Sequence, residues 1–367
     1  MKIKLAIVGI EGLPNRYGGF ETLASYLVKY LSGEFETTVY CSSVDLPAKT
    51  DVYEGSNLKY IPYSSHGWQG VIYDILSLKD ALKNNDLVLF LGFGAGIYFP
   101  YISNKNRSKI VLNFGGLDWQ RVKWGGVTRK IIKYFESLMV KNVDWVIADN
   151  KKIAEYIETT YNKIPLEISY GGDQVKKMGL TEDLKKEFPF LSEKYACAVC
   201  RLQPDNNIEL ILDAFSAIGY PLVMIGNWGA SAFGIDCKKK YLKHRNLHLL
   251  DAIYDADRLN MIRSNCSMYI HGHSAGGTNP SLVEAMHLGL NIFAFKSGYN
   301  EITTHHLAKY FDSVDSLVEL IHLFNESDLN ADMQAMQEYA KQHYTWQGVS
   351  DKYRDLFLKV YHLSNGA

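Results

Sequence analysis

Apolar residues in the first half of the chain fall into short continuous runs: Leu5–Val8, Val39–Cys41, Leu87–Leu91, Ile110–Asn113 and Trp145–Ala148. Runs of this length predict strands buried on both faces, as in a parallel sheet covered by helices. Between them the period changes. Phe20, Leu23, Ala24, Leu27, Val28 and Leu31 recur every three or four residues and predict an amphipathic helix after the first strand. Past the charged stretch Lys176–Lys186 the alternation resumes, with strands predicted at Ala196–Arg201, Leu222–Ile225, Leu247–Leu249, Met268–His271 and Ile292–Phe295. The expectation is an α/β protein of two doubly wound domains, residues 1–172 and 173–345. The last segment, Tyr344–Leu363, reads as an amphipathic helix through Trp346, Tyr353, Leu356, Phe357, Val360 and Tyr361.

At 367 residues the chain is too long for one ordinary core, which agrees with two domains. A net charge of -1 removes any global electrostatic case for a nucleic-acid partner. No apolar run approaches the roughly 18 residues needed to span a bilayer. The start, Met1-Lys-Ile-Lys-Leu-Ala-Ile-Val-Gly9, lacks the pattern of a secretory signal, so a cytoplasmic location is expected. Five scattered cysteines, an odd number, do not make a disulfide framework. Cys197 and Cys200 have metal-pair spacing but lie in a predicted strand with no second pair, so no metal is expected there.

Candidate chemistry concentrates in His271-Gly-His-Ser-Ala-Gly-Gly-Thr-Asn-Pro-Ser-Leu-Val-Glu284-Ala-Met. Asn279 suits a helix N-cap and Pro280 the first helical position, which leaves first-turn N–H groups to face an anion. Glu284 lies four residues beyond Pro280, on about the same face, where its carboxylate can accept hydrogen bonds from the vicinal hydroxyls of a ribose. Phosphate and sugar together suggest a nucleotide-sugar. Three further clusters stand out: Gly9 to Thr22, which includes Gly18 and Gly19; Arg201 at the end of a predicted strand; and Gly115-Gly-Leu-Asp118-Trp119-Gln-Arg121-Val-Lys123-Trp124. A guanidinium binds diphosphate with two parallel hydrogen bonds, and an indole offers a platform for a sugar ring.

These segments resemble motifs of the retaining family 4 glycosyltransferases. The 271–286 segment is similar to the donor signature, in which two glutamates are separated by seven residues; Glu284 is the second, and Gly276 stands where the first is expected. Arg16-Tyr-Gly-Gly-Phe-Glu-Thr and the variant loop resemble a bacterial rhamnosyltransferase subgroup of polysaccharide and O-antigen synthesis. Arg201 matches the family arginine, Asn206 replaces a lysine that shares the phosphate, and Gly115 stands where an acid is usual.

The resemblance implies a GT-B fold with an acceptor-side first domain, a donor-side second domain, and helix 346–363 packing back on the first. It implies donor binding by Gly18, Gly19, Arg201, Asn206, Asn227, Ser274, Gly277, Thr278, Asn279, Pro280, Ser281 and Glu284. Acceptor binding falls to Trp119, Arg121 and Lys123, and catalytic roles to Glu284, Arg201 and Asp118. The implied reaction moves L-rhamnose from dTDP-L-rhamnose to a saccharide, itself carried on undecaprenyl diphosphate, without cofactor or metal. Alternatives are another hexose from a UDP- or GDP-sugar, a non-catalytic nucleotide-sugar binder, and a nicotinamide enzyme using Gly92–Gly96.

Residues 121–141 carry six cations (Arg121, Lys123, Arg129, Lys130, Lys133, Lys141) and one acid, Glu136, a local charge of six minus one, plus five. With Ile131, Tyr134 and Phe135 among them, they read as a helix for an anionic membrane surface at the inner face of the plasma membrane, or as an ordinary solvated face over a core stripe. Asp255-Ala-Asp257 has sugar-nucleotide metal spacing, but it begins a predicted helix, Asp257–Ser264, where acids suit the dipole.

Overall fold

The computed structural model describes residues 2–14, 18–46, 49–121, 125–324 and 330–366. The chain divides into two compact units, one of residues 1–120, 124–169 and 346–367, the other of 121–123 and 170–345.

The first unit is built on eight strands: β1 Ile3–Val8, β2 Phe35–Ser42, β3 Val52–Tyr53, β4 Ser56–Ile61, β5 Leu87–Leu91, β6 Ile110–Asn113, β7 Trp145–Ala148 and β8 Leu166–Glu167. Their order is β3-β4-β2-β1-β5-β6-β7-β8, parallel except where β3 meets β4. The five predicted runs are the central strands, and β5 and β6 are buried at every position. Strands β3, β4 and β8, at or next to the edges, were not predicted, for a visible reason. In β4, buried Ser56 and Leu58 alternate with exposed Asn57 and Lys59, and both residues of β8 are exposed. An edge strand needs less apolar surface and gives a weaker sequence signal.

The helix Gly19–Leu31 buries the predicted stripe except Phe20, which is partly exposed. Against it lies the final helix Trp346–Ser364: the Trp346 ring stacks on Tyr26 with centroids 4.2 Å apart and planes 9° apart. Asn113 Nδ2 donates to the hydroxyl of buried Tyr353 over 2.6 Å, tying the same helix to the end of β6.

The second unit has six parallel strands: β9 Ala196–Val199, β10 Leu222–Ile225, β11 Leu247–Leu250, β12 Met268–His271, β13 Ile292–Phe295 and β14 Lys309–Phe311, ordered β11-β10-β9-β12-β13-β14. β9 is shorter than predicted and ends at Val199, which leaves Arg201 in the loop beyond it. Asp255 caps the helix Ala256–Ser264, its side chain accepting from Arg258 N over 3.0 Å.

Each sheet changes winding direction once. In the first, the chain moves outward from β1 through β2 to β4 and restarts on the other side at β5; in the second, it moves from β9 to β11 and restarts at β12. The crevices beyond the carboxyl ends of β1 and β5, and of β9 and β12, are where doubly wound sheets hold ligands.

Candidate functional site

At the second switch point two loops interlock. A Cβ on Gly272 would meet the Asn206 carbonyl oxygen at 2.1 Å, and Asn207 Nδ2 donates to the Gly272 carbonyl over 2.8 Å. Ser274 donates from its backbone N and its hydroxyl to the Asp205 carbonyl, both over 2.9 Å. Asn206 is buried and turned inward. Its Nδ2 donates to the Arg201 carbonyl over 2.7 Å, and its Oδ1 lies 2.9 Å from His273 Nδ1. Because Oδ1 is the acceptor, the imidazole proton sits on Nδ1 and Nε2 presents a lone pair. Burial lowers the His273 pKa to about 3, with Arg121 and Arg201 pushing the same way, so the ring is neutral.

His273 Nε2 has no partner among the described residues, and a Cβ on Gly276 would lie 3.1 Å from it. Gly276, at φ +120, adopts a backbone that side-chain-bearing residues avoid. The backbone N–H groups of Ala275, Gly276 and Gly277 likewise have no partner among the described residues. Arg201 is exposed, and its guanidinium makes no hydrogen bond or ion pair with them either. Three amides, one guanidinium and one neutral acceptor thus share the ends of neighbouring β9 and β12. Thr278 is buried in the same loop, and Asn227 is exposed just past β10.

The helix Pro280–His287 follows, with Asn279 as its cap. Asn279 Oδ1 accepts from Ser281 N over 3.0 Å and from the Ser281 hydroxyl over 2.8 Å, while Leu282 N and Val283 N donate to the Asn279 carbonyl over 3.1 and 3.2 Å. Sequence reasoning left these first-turn N–H groups open to an anion. The cap consumes them, and the open donors lie just before it, at residues 275–277.

Glu284 is clamped from both sides. Arg263 Nη1 donates to Oε2 and Gln174 Nε2 to Oε1, each over 2.5 Å. Arg263 is only 2 % exposed; burial disfavours its charge, and the Glu284 carboxylate more than offsets this, raising the guanidinium pKa. Each Glu284 oxygen retains a second lone pair for a ligand. Sequence reasoning missed Arg263 and Gln174. The signal for Arg263 was a cation on the helix Ala256–Ser264 between Ile262 and Ser264, both buried.

In the first unit, a Cβ on Gly18 would meet Glu21 Oε2 at 1.9 Å, and Glu21 Oε1 accepts from Glu11 N over 3.1 Å. A carboxylate therefore already stands at the start of the helix that Gly19 begins, beside the two glycines expected to bind the donor. Gly115 lacks a side chain because Phe20 fills the space: a Cβ there would be 2.2 Å from the ring. Gly94 and Gly96 have packing explanations, since added Cβ atoms would strike Asp74 and Phe135.

Asp118 starts the short turn Asp118–Gln120, and Lys133 Nζ sits 4.9 Å from the Trp119 ring centroid. Arg121 Nη1 is 3.8 Å from Asp205 Oδ2. Lys123 lies outside the described residues, as do Arg16, Tyr17 and Trp124.

The cationic helix runs Gly126–Asn142. Trp119, Arg129, Lys130, Lys133, Lys141 and Tyr161 help to line a cavity of about 660 Å³ along it. Its single acid faces inward: buried Glu136 Oε1 accepts from Lys133 Nζ over 2.8 Å, Tyr156 OH over 2.7 Å and Tyr161 OH over 2.5 Å. Burial raises the Glu136 pKa in spite of these donors. The surface charge of the helix is therefore cationic, and Val127, Ile131 and Tyr134 are exposed beside it.

Among the described residues, no three His, Cys, Asp or Glu side chains group to hold a metal ion, and no helix is long and apolar enough to cross a membrane.

Two doubly wound α/β sheets, each with a switch point, are the architecture of the GT-B fold, which the solved structures below share. Residues 181–343 match the family described as glycosyl transferases group 1, and residues 2–173 match one described as a domain of unknown function, DUF1972. No curated protein matches the chain. Sucrose-phosphate synthase from Thermosynechococcus elongatus superposes with a TM-score of 0.82 at 14% identity, covering 99% of this chain and 100% of that one. HepE from Anabaena, in complex with UDP-glucose, gives 0.73 at 12% over 98% and 100%. A glycosyltransferase from Rickettsia africae gives 0.71 at 14% over 98% of each chain. At such identities the likeness establishes the fold, and the group 1 glycosyl transferase match over residues 181–343 supports a glycosyltransferase activity.

Proposed function

We propose that the protein transfers L-rhamnose from dTDP-L-rhamnose, with retention, to a saccharide acceptor in cell-surface polysaccharide synthesis. One observation carries the donor reading: Arg201 and the N–H groups of Ala275–Gly277, without partners among the described residues, share the β9/β12 switch point, with the clamped Glu284 carboxylate on the following helix. Amides and a guanidinium suit the diphosphate, Glu284 the 3′-hydroxyl of the deoxyribose, and His273 Nε2 a hydroxyl of the sugar. Gly277, Thr278, Asn279, Pro280 and Ser281 shape that loop; Asn206 contributes by orienting His273.

As the C1–O bond to the diphosphate breaks, charge develops on the departing oxygen, and preorganised donors stabilise it electrostatically. The acceptor oxygen bonds to C1 from the same face and gives its proton to the leaving phosphate, so no protein base or metal is invoked.

The acceptor belongs to residues 1–172. The cavity beside Trp119, with its cations and exposed apolar neighbours, supports an acceptor linked to undecaprenyl diphosphate at an anionic cytoplasmic membrane surface. A second reading, a UDP-sugar donor, is favoured by the fold shared with HepE, whose complex holds UDP-glucose. Thermal shifts with dTDP, UDP, GDP and their sugars separate the readings, because a ligand of the native state raises the melting temperature. A selective shift with dTDP-L-rhamnose is expected; a shift with a UDP-sugar and none with dTDP-L-rhamnose would replace the first reading by the second.

A further inference from the structure

The first switch point holds a carboxyl group that the donor chemistry does not use. On the helix Gly67–Asn84, the Tyr73 hydroxyl lies 2.9 Å from the Ile10 carbonyl oxygen and 2.8 Å from that of Tyr40, sharing its proton between residues near the ends of β1 and β2. One position on, Asp74 lies against the residues just beyond β5: a methyl on Gly94 would meet Asp74 Oδ2 at 1.9 Å. Asp74 is thus placed beside the crevice between the β1 and β5 ends, in space that the missing side chain of residue 94 leaves open.

Among the described residues Asp74 has no hydrogen bond and no ion pair. Burial alone lifts its pKa to about 8. Asp74, Cys41 and Glu21 are the titratable groups that act on Tyr73; burial holds Tyr73 neutral and pushes the Cys41 thiol up to about 11. Asp74 is part-buried, so the residue can still be reached from solvent.

We propose that Asp74, with the loops Gly9–Gly12 and Gly92–Gly96, forms a subsite for hydroxyl groups of the acceptor saccharide. The subsite rests on the glycosyl-transfer reading and is built from the first unit alone. A carboxyl group accepts hydrogen bonds when ionised and both donates and accepts when protonated, which matches vicinal hydroxyls in either state. The role is binding; no proton leaves the acceptor through Asp74.

The test uses the full chain, Asp74→Asn and Gly94→Ala, with dTDP-L-rhamnose and UDP-glucose as donors. The acceptors are alkyl-diphosphate-linked glucose, galactose and N-acetylglucosamine. Both variants are expected to bind donor as the wild type does, by thermal shift, while kcat/KM for the acceptor falls at least tenfold, mainly through KM. Asp74→Asn is also expected to melt above the wild type at pH 8. That gain shrinks toward pH 4, because a carboxyl whose folded pKa is raised contributes stability below its ordinary pKa and loses it as pH climbs through the folded one.

Acceptor kinetics unchanged in Asp74→Asn would overturn the subsite, as would a variant that melts lower at pH 8 and loses donor binding too, the mark of a structural residue. A wild type that binds donor but transfers to none of the three hexoses overturns it as well. Failure of the wild type to bind any nucleotide-sugar sinks the parent reading instead, and the subsite with it.

Discussion

In the proposed donor site, Arg201, His273 and Glu284 divide the chemistry by charge. Arg201 is an exposed cation without a described partner, so Arg201→Ala should lower kcat by about 10²–10³, the usual cost of one transition-state donor, with little effect on melting. Steady-state rates beside a thermal melt check both halves. His273 is neutral and fixed in one tautomer by Asn206, so His273→Ala should weaken binding of dTDP-L-rhamnose while leaving that of dTDP unchanged; equal losses for both ligands would remove His273 from the sugar. Arg263 acts through Glu284. Arg263→Met strands a largely buried carboxylate and should destabilise the second unit by about 3 kcal/mol, read by denaturant titration. Sequence reasoning assigned Asn206 to the donor phosphate because it replaces a family lysine. The structure spends both ends of its amide on Arg201 and His273, a commitment that depends on two loops distant in sequence.

The helices Gly126–Asn142 and Trp346–Ser364 show how far a pattern reaches at the level of an element. Four cations and one acid mark the first as basic, and the structure removes Glu136 from the surface by burying it beneath Lys133, Tyr156 and Tyr161. Lys130 and Lys141 are exposed, and each cation near an anionic surface is worth about 1 kcal/mol. Changing both to Gln should reduce partitioning onto phosphatidylglycerol vesicles roughly thirtyfold at low salt and leave neutral vesicles unaffected. A sedimentation assay showing no change would reduce this face to an ordinary solvated one. In the final helix, apolar spacing predicted the element but not its partner. Trp346 is buried against Tyr26, and Trp346→Ala should cost about 3–5 kcal/mol, seen as a lower melting temperature.

For the molecule as a whole, the continuous apolar runs determined the α/β class and ten of the strands, since a strand covered on both faces must be apolar throughout. The same logic hid β3, β4, β8 and β14, which lie at or next to a sheet edge and tolerate polar side chains. Local chemistry was also legible: Asn279 before Pro280, Asp255 before its helix and Arg201 after β9 act within a few residues of themselves. Only the tertiary structure decided which groups remain open. The first-turn amides of helix 280–287 are consumed by their own cap, Glu21 fills the space at Gly18, and Phe20 fills the space at Gly115. Asp74 and Arg263 gain their meaning from strand order and from burial, which bring together residues far apart in the chain. Sequence reports what a residue can offer; whether that offer is already taken depends on neighbours that only folding supplies.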